Sequence, residues 1–182
     1  MSNLTTNKTS RFAVFDLPGT KQSGGDDKKS SSSSKQASKR PADNLEGLRK
    51  STMNLEERLA TIMSVGEECQ TEAELRTLLT ARDHPIVYDG FEPSGRMHIA
   101  QGVLRAINVN KLTSSGCLFK FWVADWFAQL NNKMGGDLAK IKTVGQYMIE
   151  IWRAIGMDMT NVRFLWASDE INNNADEYWT LV

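Results

Sequence analysis

The 182-residue sequence predicts an α/β fold, an incomplete doubly wound parallel sheet preceded by short helices and a disordered tail. Three observations carry this expectation. Short, β-prone apolar runs at 86–88, 117–124 and 162–167 alternate with longer amphipathic stretches at 97–115 and 137–155. That order and spacing predict right-handed strand–helix–strand units in a parallel sheet. Gly116 and Gly156 stand where the two long helices should stop. The first 50 residues, by contrast, hold few large apolar side chains and show no periodicity. A composition of 40% hydrophobic and 24% charged residues excludes a fibrous, collagen-like or wholly disordered chain.

In chain order, residues 1–43 form a basic, serine-rich tail that cannot bury enough apolar surface to offset its conformational entropy. The formal net charge of 0 hides a split: residues 1–50 carry 10 basic and 5 acidic side chains, and residues 51–182 carry 12 and 17. The tail has two readings, a solvated linker or an electrostatic arm for nucleic acid. No aromatic residue interleaves 20–50, so base stacking is not on offer. Residues 44–82 read as an N-terminal helical segment. Asn54 with Glu57 makes a capping box ahead of Leu55, Leu59, Ile62 and Met63, and Thr71 with Glu74 repeats the signal ahead of Leu75, Leu78 and Leu79.

Residues 83–182 read as half of a doubly wound domain. After His84-Pro85 the first strand enters a turn at Asp89-Gly90. The next helix shows Ile99, Val103, Leu104, Ile107 and Leu112 as its inner face. Asp137 caps the second long helix, whose inner face holds Leu138, Ile141, Val144, Met148, Ile151, Trp152 and Ile155. Residues 175–182 begin a further helical pattern that stops without a breaker, which reads as a chain cut inside its domain.

No apolar stretch approaches the roughly 18 residues of a membrane span, and Asp16, Asp26 and Asp27 interrupt the tail where organellar presequences avoid acids. A cytoplasmic protein is expected. Cys69 and Cys117 lie 48 residues apart without a CxxC, and there are two histidines, so no metal ligand is assigned. The sharpest chemical signal is the segment 88–102, between the first strand and its helix. In a parallel α/β sheet ligands bind at the carboxyl ends of the strands, and a helix N-terminus there offers free N–H groups to phosphate. Gly90 and Gly95 allow close backbone approach, and His98 falls in the first helical turn. The alternative is an ordinary glycine-bearing turn, since neither GxxxxGK[ST] nor GxGxxG is present.

The run Pro93-Ser94-Gly95-Arg96-Met97-His98-Ile99-Ala100-Gln101 resembles the HIGH signature of class I aminoacyl-tRNA synthetases. The wider stretch from Tyr88, with Ala124-Asp125-Trp126-Phe127-Ala128-Gln129-Leu130, is similar to tyrosyl-tRNA synthetases of eukaryotic and archaeal type, nearest the plant enzymes. The likeness spans about residues 50–182.

The resemblance implies a tyrosine-tRNA ligase with L-tyrosine, ATP and tRNA(Tyr) as substrates, Mg2+ accompanying ATP, and a homodimer in the full-length protein. His98 matches the signature's first histidine and is the implied catalytic residue, while Ala100 and Gln101 stand in place of its glycine and second histidine. Tyr88 matches the position whose phenol contacts the substrate's hydroxyl. Gly90, Glu92, Gly95, Gln101 and Asp125 are the further implied tyrosine and ATP contacts. No KMSKS-like segment occurs, and the family's anticodon-reading domain has no counterpart here, so a truncated ligase with doubtful activity on its own is the expectation. The alternative is a non-catalytic adenine-nucleotide-binding half-domain or an interaction module.

Overall fold

The computed structural model describes residues 13–15, 45–66, 69 and 71–182. Four strands, β1 (Ala13–Phe15), β2 (Ile86–Phe91), β3 (Leu118–Val123) and β4 (Val162–Trp166), form one sheet in that order. β2, β3 and β4 run parallel, and β1 pairs antiparallel with β2, Ala13 opposite Tyr88 and Phe15 opposite Ile86. The helices are α1 (Leu55–Met63), α2 (Glu72–Ala81), α3 (Arg105–Ser114), α4 (Asp125–Leu130), α5 (Leu138–Ala154), α6 (Ala167–Asn173) and α7 (Ala175–Leu181). The parallel three-strand core with helical crossovers is the fold the sequence predicts. Three residues assigned to the disordered tail, Ala13–Phe15, are instead a strand, in keeping with the β propensity of Val and Phe. The rest of the tail, and with it the choice between linker and arm, lies outside the described residues.

Local chemistry accounts for most boundaries. Asn54 and Glu57 form the expected reciprocal cap of α1, with Glu57 N–H donating to Asn54 Oδ1 at 3.0 Å and Asn54 N–H to Glu57 Oε2 at 2.9 Å. Asp137 caps α5 through the Lys140 N–H. Thr71 bonds the Glu74 carboxylate rather than a backbone N–H. Gly116 ends α3 with φ +88°, in the region that favours glycine.

Two expectations change. β2 does not turn at Asp89-Gly90 but runs on to Phe91, because Asp89, Gly90 and Phe91 stay in the ladder opposite Phe121, Trp122 and Val123. The helix after it begins with a π-helical turn, Ala100–Leu104. Its buried face is Gly102, Ala106, Val109 and Leu112, while Ile99, Val103, Leu104 and Ile107 are exposed. The larger apolar residues suggested the wrong face.

The core lies between the sheet and the helices packed on it. Trp152 is buried and stacks on Phe121 at 4.9 Å and 14°, Phe121 stacks on Phe164 at 5.0 Å, and Phe91 meets Trp152 edge-on at 4.9 Å. Leu59, Ile62 and Leu79 of α1 and α2 belong to the same apolar cluster. Arg58 fastens these helices to the sheet. Its guanidinium donates to the carbonyls of Ser115 (2.8 Å), Leu79 (3.2 Å), Arg82 (3.3 Å) and Asp83 (3.0 Å). The Asn161 side chain likewise bonds both the N–H and the C=O of Arg49 at 2.8 Å. Cys117 is buried, and burial pushes its thiol up to about 12, so it is no nucleophile. Among the described residues no helix is long and apolar enough to cross a membrane.

Gly145 marks the tightest approach. A Cβ there would stand 2.7 Å from Trp166 Cη2 and 3.2 Å from Pro93 Cγ. Gly145→Ala should therefore lower stability by about 1–3 kcal/mol through overpacking, despite its better helix propensity. An unchanged urea midpoint would show that Trp166 yields freely.

Candidate functional site

The sequence-predicted residues lie on β2, on the segment that follows it and at the start of α4. Alternation along β2 buries Val87, Asp89 and Phe91 and leaves Tyr88 and Gly90 on the other face, with Tyr88 43% exposed. Past the strand ends the ladder is prolonged by Ala124 N–H donating to Phe91 O at 2.9 Å. The Glu92 carboxylate then accepts from Asn131 Nδ2 at 2.7 Å, which ties the loop after β2 to the end of α4. Gly95 has φ +142°, and the chain turns there toward the helix. His98 is exposed and stands just before the helix rather than in its first turn; its carbonyl accepts the Gly102 N–H at 2.9 Å. The Gln101 carbonyl accepts the indole N–H of Trp152 at 3.2 Å.

Asp125 is placed differently from the others. It is fully buried, and its carboxylate serves the backbone: Oδ1 accepts the N–H groups of Trp126 and Ser168, both at 2.9 Å, and Oδ2 accepts the Ser168 hydroxyl at 2.6 Å. Lys142 Nζ lies 3.8 Å from Oδ2 and 3.7 Å from Asp169 Oδ1. One carboxylate thus joins the first turns of α4 and α6, and with them the ends of β3 and β4. An open cavity of about 470 Å³ adjoins this cluster, lined by Lys142, Thr143, Gln146, Trp166 and Asp169. It includes none of the residues singled out in the sequence.

Among the described residues no group of three or more His, Cys, Asp or Glu stands together to hold a metal ion. The polar side chains of the candidate residues around this turn are the Tyr88 phenol, the Glu92 carboxylate, the His98 imidazole and the Gln101 amide. The sequence reading missed Asp89, Arg105, Ser168 and Lys142. For Asp89 a signal existed, an acid alternating with Val87 and Phe91 on a buried strand face. The others show nothing at the level of spacing.

Parallel strands joined by helical crossovers, with a glycine turn beyond the carboxyl end of β2, make half of a doubly wound α/β domain. Residues 80–182 match the model for tRNA synthetases class I (W and Y), and the chain belongs to that family. It is 64% identical over 128 residues to tyrosine–tRNA ligase 1, cytoplasmic, of Arabidopsis thaliana, covering 70% of this chain and 33% of that protein. To the tyrosine–tRNA ligase of Sulfurisphaera tokodaii it is 40% identical over 131 residues, 72% of this chain and 35% of that one. Among solved structures, the Leishmania major tyrosyl-tRNA synthetase in complex with tyrosinol is 59% identical with a TM-score of 0.67, covering 70% of this chain and 22% of that chain. The chain therefore spans about a third of the length of the curated relatives it matches.

Proposed function

We propose that this chain supplies the tyrosine- and ATP-facing half of a tyrosine-tRNA ligase. What supports the reading is an exposed Tyr88 on β2 and an exposed His98 just beyond the Gly95 turn that follows that strand, in a chain 64% identical over 128 residues to a tyrosine–tRNA ligase. In the reaction the tyrosine carboxylate attacks the α-phosphorus of ATP. A P–O bond forms, the bond to the β-phosphate breaks, and pyrophosphate leaves with the electron pair. A hydroxyl of the terminal ribose of tRNA(Tyr) then attacks the tyrosyl carbonyl; the ester C–O bond forms, the C–O bond to the phosphate breaks, and AMP leaves as the hydroxyl proton is released. No covalent enzyme intermediate is needed, so catalysis consists of alignment and of stabilising charge on phosphate oxygens.

His98 donates an N–H to the phosphates as negative charge moves outward, while Tyr88 meets the substrate's hydroxyl. Gly90 and Gly95 keep the backbone free of side chains along the bound adenylate, and Glu92 and Gln101 border it. Asp125 acts from beneath, by holding the neighbouring helix starts in place. Mg2+ would accompany ATP and would offset charge on its phosphates. The cytoplasmic Arabidopsis relative supports a cytoplasmic setting, and a homodimer is the assembly we propose.

The test is tyrosine-dependent exchange between pyrophosphate and ATP. A fusion of this chain to the remaining two thirds of the Arabidopsis relative should catalyse it, and the 182-residue chain alone should not. In the fusion, His98→Ala should slow adenylate formation about a hundredfold, with tyrosine affinity nearly unchanged. Tyr88→Phe should reduce discrimination against phenylalanine by roughly tenfold. A fusion that folds and shows no exchange would refute the reading.

A further inference from the structure

The buried face of β2 carries an anomaly. Asp89 sits between Val87 and Phe91 in the core, and its Oδ2 lies 2.9 Å from Nη2 of Arg105, at the start of α3, with the two side chains only 9% and 12% exposed. The pair is incompletely satisfied. Asp89 Oδ1 accepts the Gly90 N–H at 2.8 Å, but Oδ2 meets Arg105 Nη2 only as an ion pair outside hydrogen-bond geometry, and Arg105 Nη1 has no hydrogen-bond partner. Burial raises the Asp89 carboxyl, and it lowers the Arg105 guanidinium, in each case against the attraction of the partner. Desolvation therefore outweighs pairing. Such an ion pair contributes little net stability, and apolar side chains of similar volume commonly do as well or better.

What the pair does supply is a connection. The Arg105 guanidinium lies over the Trp152 ring at 5.9 Å, the Trp152 indole donates to the carbonyl of Gln101, and the N–H of Gly102 donates to the carbonyl of His98. Strand end, helix start, α5 and the π-helical turn are thereby linked in one run of contacts that ends on His98. Gly102 is itself buried against Met97, whose sulfur would lie 3.0 Å from an added Cβ, so the turn has little room to shift. π-Helical turns are uncommon and recur at functional sites; this one lies between Arg105 and the implied phosphate donor.

We infer that Asp89 and Arg105 are positioning residues, a buried bridge that fixes the π-helical turn, and with it His98, against the end of β2. The inference rests on the reading of His98 as the phosphate-facing group. Arg105 suits the task because its planar, delocalised cation can face a carboxylate and a ring together, which a lysine ammonium cannot.

The test replaces the pair by apolar side chains, Asp89→Leu with Arg105→Met. In the 182-residue chain the thermal midpoint should be equal to or above the parent's, while amide exchange at Gly102 accelerates at least tenfold and that of Phe121 in β3 does not. In the fusion, adenylate formation should fall at least tenfold with tyrosine affinity within twofold. Adding His98→Ala should then cost little more, because the pair acts through that residue. A folded double variant with a lower midpoint would make the pair an ordinary stability element and overturn the inference. Parental exchange at Gly102, or rate losses that multiply with that of His98→Ala, would do the same. If the double variant does not fold, Arg105→Lys reads the same amide, and an unchanged Gly102 rate again overturns it. Should the unsubstituted fusion lack pyrophosphate exchange, the proposed reaction fails, and the Gly102 measurement alone decides the bridge.

Discussion

Asp125→Ala is expected to lower the unfolding free energy by about 3–5 kcal/mol, the range for breaking a buried charged network by deleting one partner. The size follows from what the carboxylate holds. Three donors converge on it, the N–H groups of Trp126 and Ser168 and the Ser168 hydroxyl, and all would lose their acceptor inside the protein. Lys142 would lose the buried one of its two counter-charges. Asp125→Asn should fall between, since one amide oxygen can still accept while the NH2 group meets donors. Asp169→Ala, at a residue more than half exposed, should change little. Urea unfolding followed by tryptophan fluorescence measures all three. An Asp125→Ala variant within 1 kcal/mol of the parent would show that the α4 and α6 starts find other acceptors, on the scale of a typical net hydrogen bond.

Arg58→Met should be nearly as severe, at about 3 kcal/mol or more, and for the complementary reason: one donor group is removed from four carbonyls. Met keeps most of the apolar stem, so the loss reports the guanidinium. The carbonyls of Leu79, Arg82 and Asp83 lie at or just beyond the C-terminus of α2, where a cation also meets the negative end of the helix dipole. Arg76, which pairs with Glu56 and Glu72 on the surface, is the control, and Arg76→Ala should leave the midpoint almost where it was. Amide exchange would show where the Arg58→Met chain opens; α1 and α2 should lose protection before β3. Uniform loss across the chain would mean that the helical segment and the sheet unfold as one unit.

Much of the fold was legible because it is written in short-range chemistry. The α5 helix announces itself by Asp137 at its start and a regular apolar stripe, and α1 by a reciprocal cap that needs only four consecutive residues. The parallel order follows from alternation of element types. The failures have one cause, the dependence of a residue's direction on partners distant in sequence. Ile99, Val103 and Ile107 look like an inner face, yet a π-helical turn rotates the register and puts smaller residues inward. Asp89 reads as a turn residue until its partner, 16 positions on, is known. Asp125 could be placed at the mouth but not oriented, since the groups that claim its oxygens include Ser168, 43 positions away.

The three-residue strand on the outer flank of β2 bears on how this sheet can be enlarged. A row of unpaired backbone groups is a template for any extended chain, and proteins avoid unwanted accretion by blocking it. β1 covers β2 over Ile86, Val87 and Tyr88 with a strand of opposite sense, and its pairing does not reach Asp89, Gly90 or Phe91. The flank still open among the described residues is β4, whose side chains from Arg163 to Trp166 are only half-buried. A doubly wound sheet is extended on both sides of its first parallel strand, so a second half pairing with β2 would meet β1 on that flank. β1 covers only three of the six residues of β2, those farthest from the Gly95 turn.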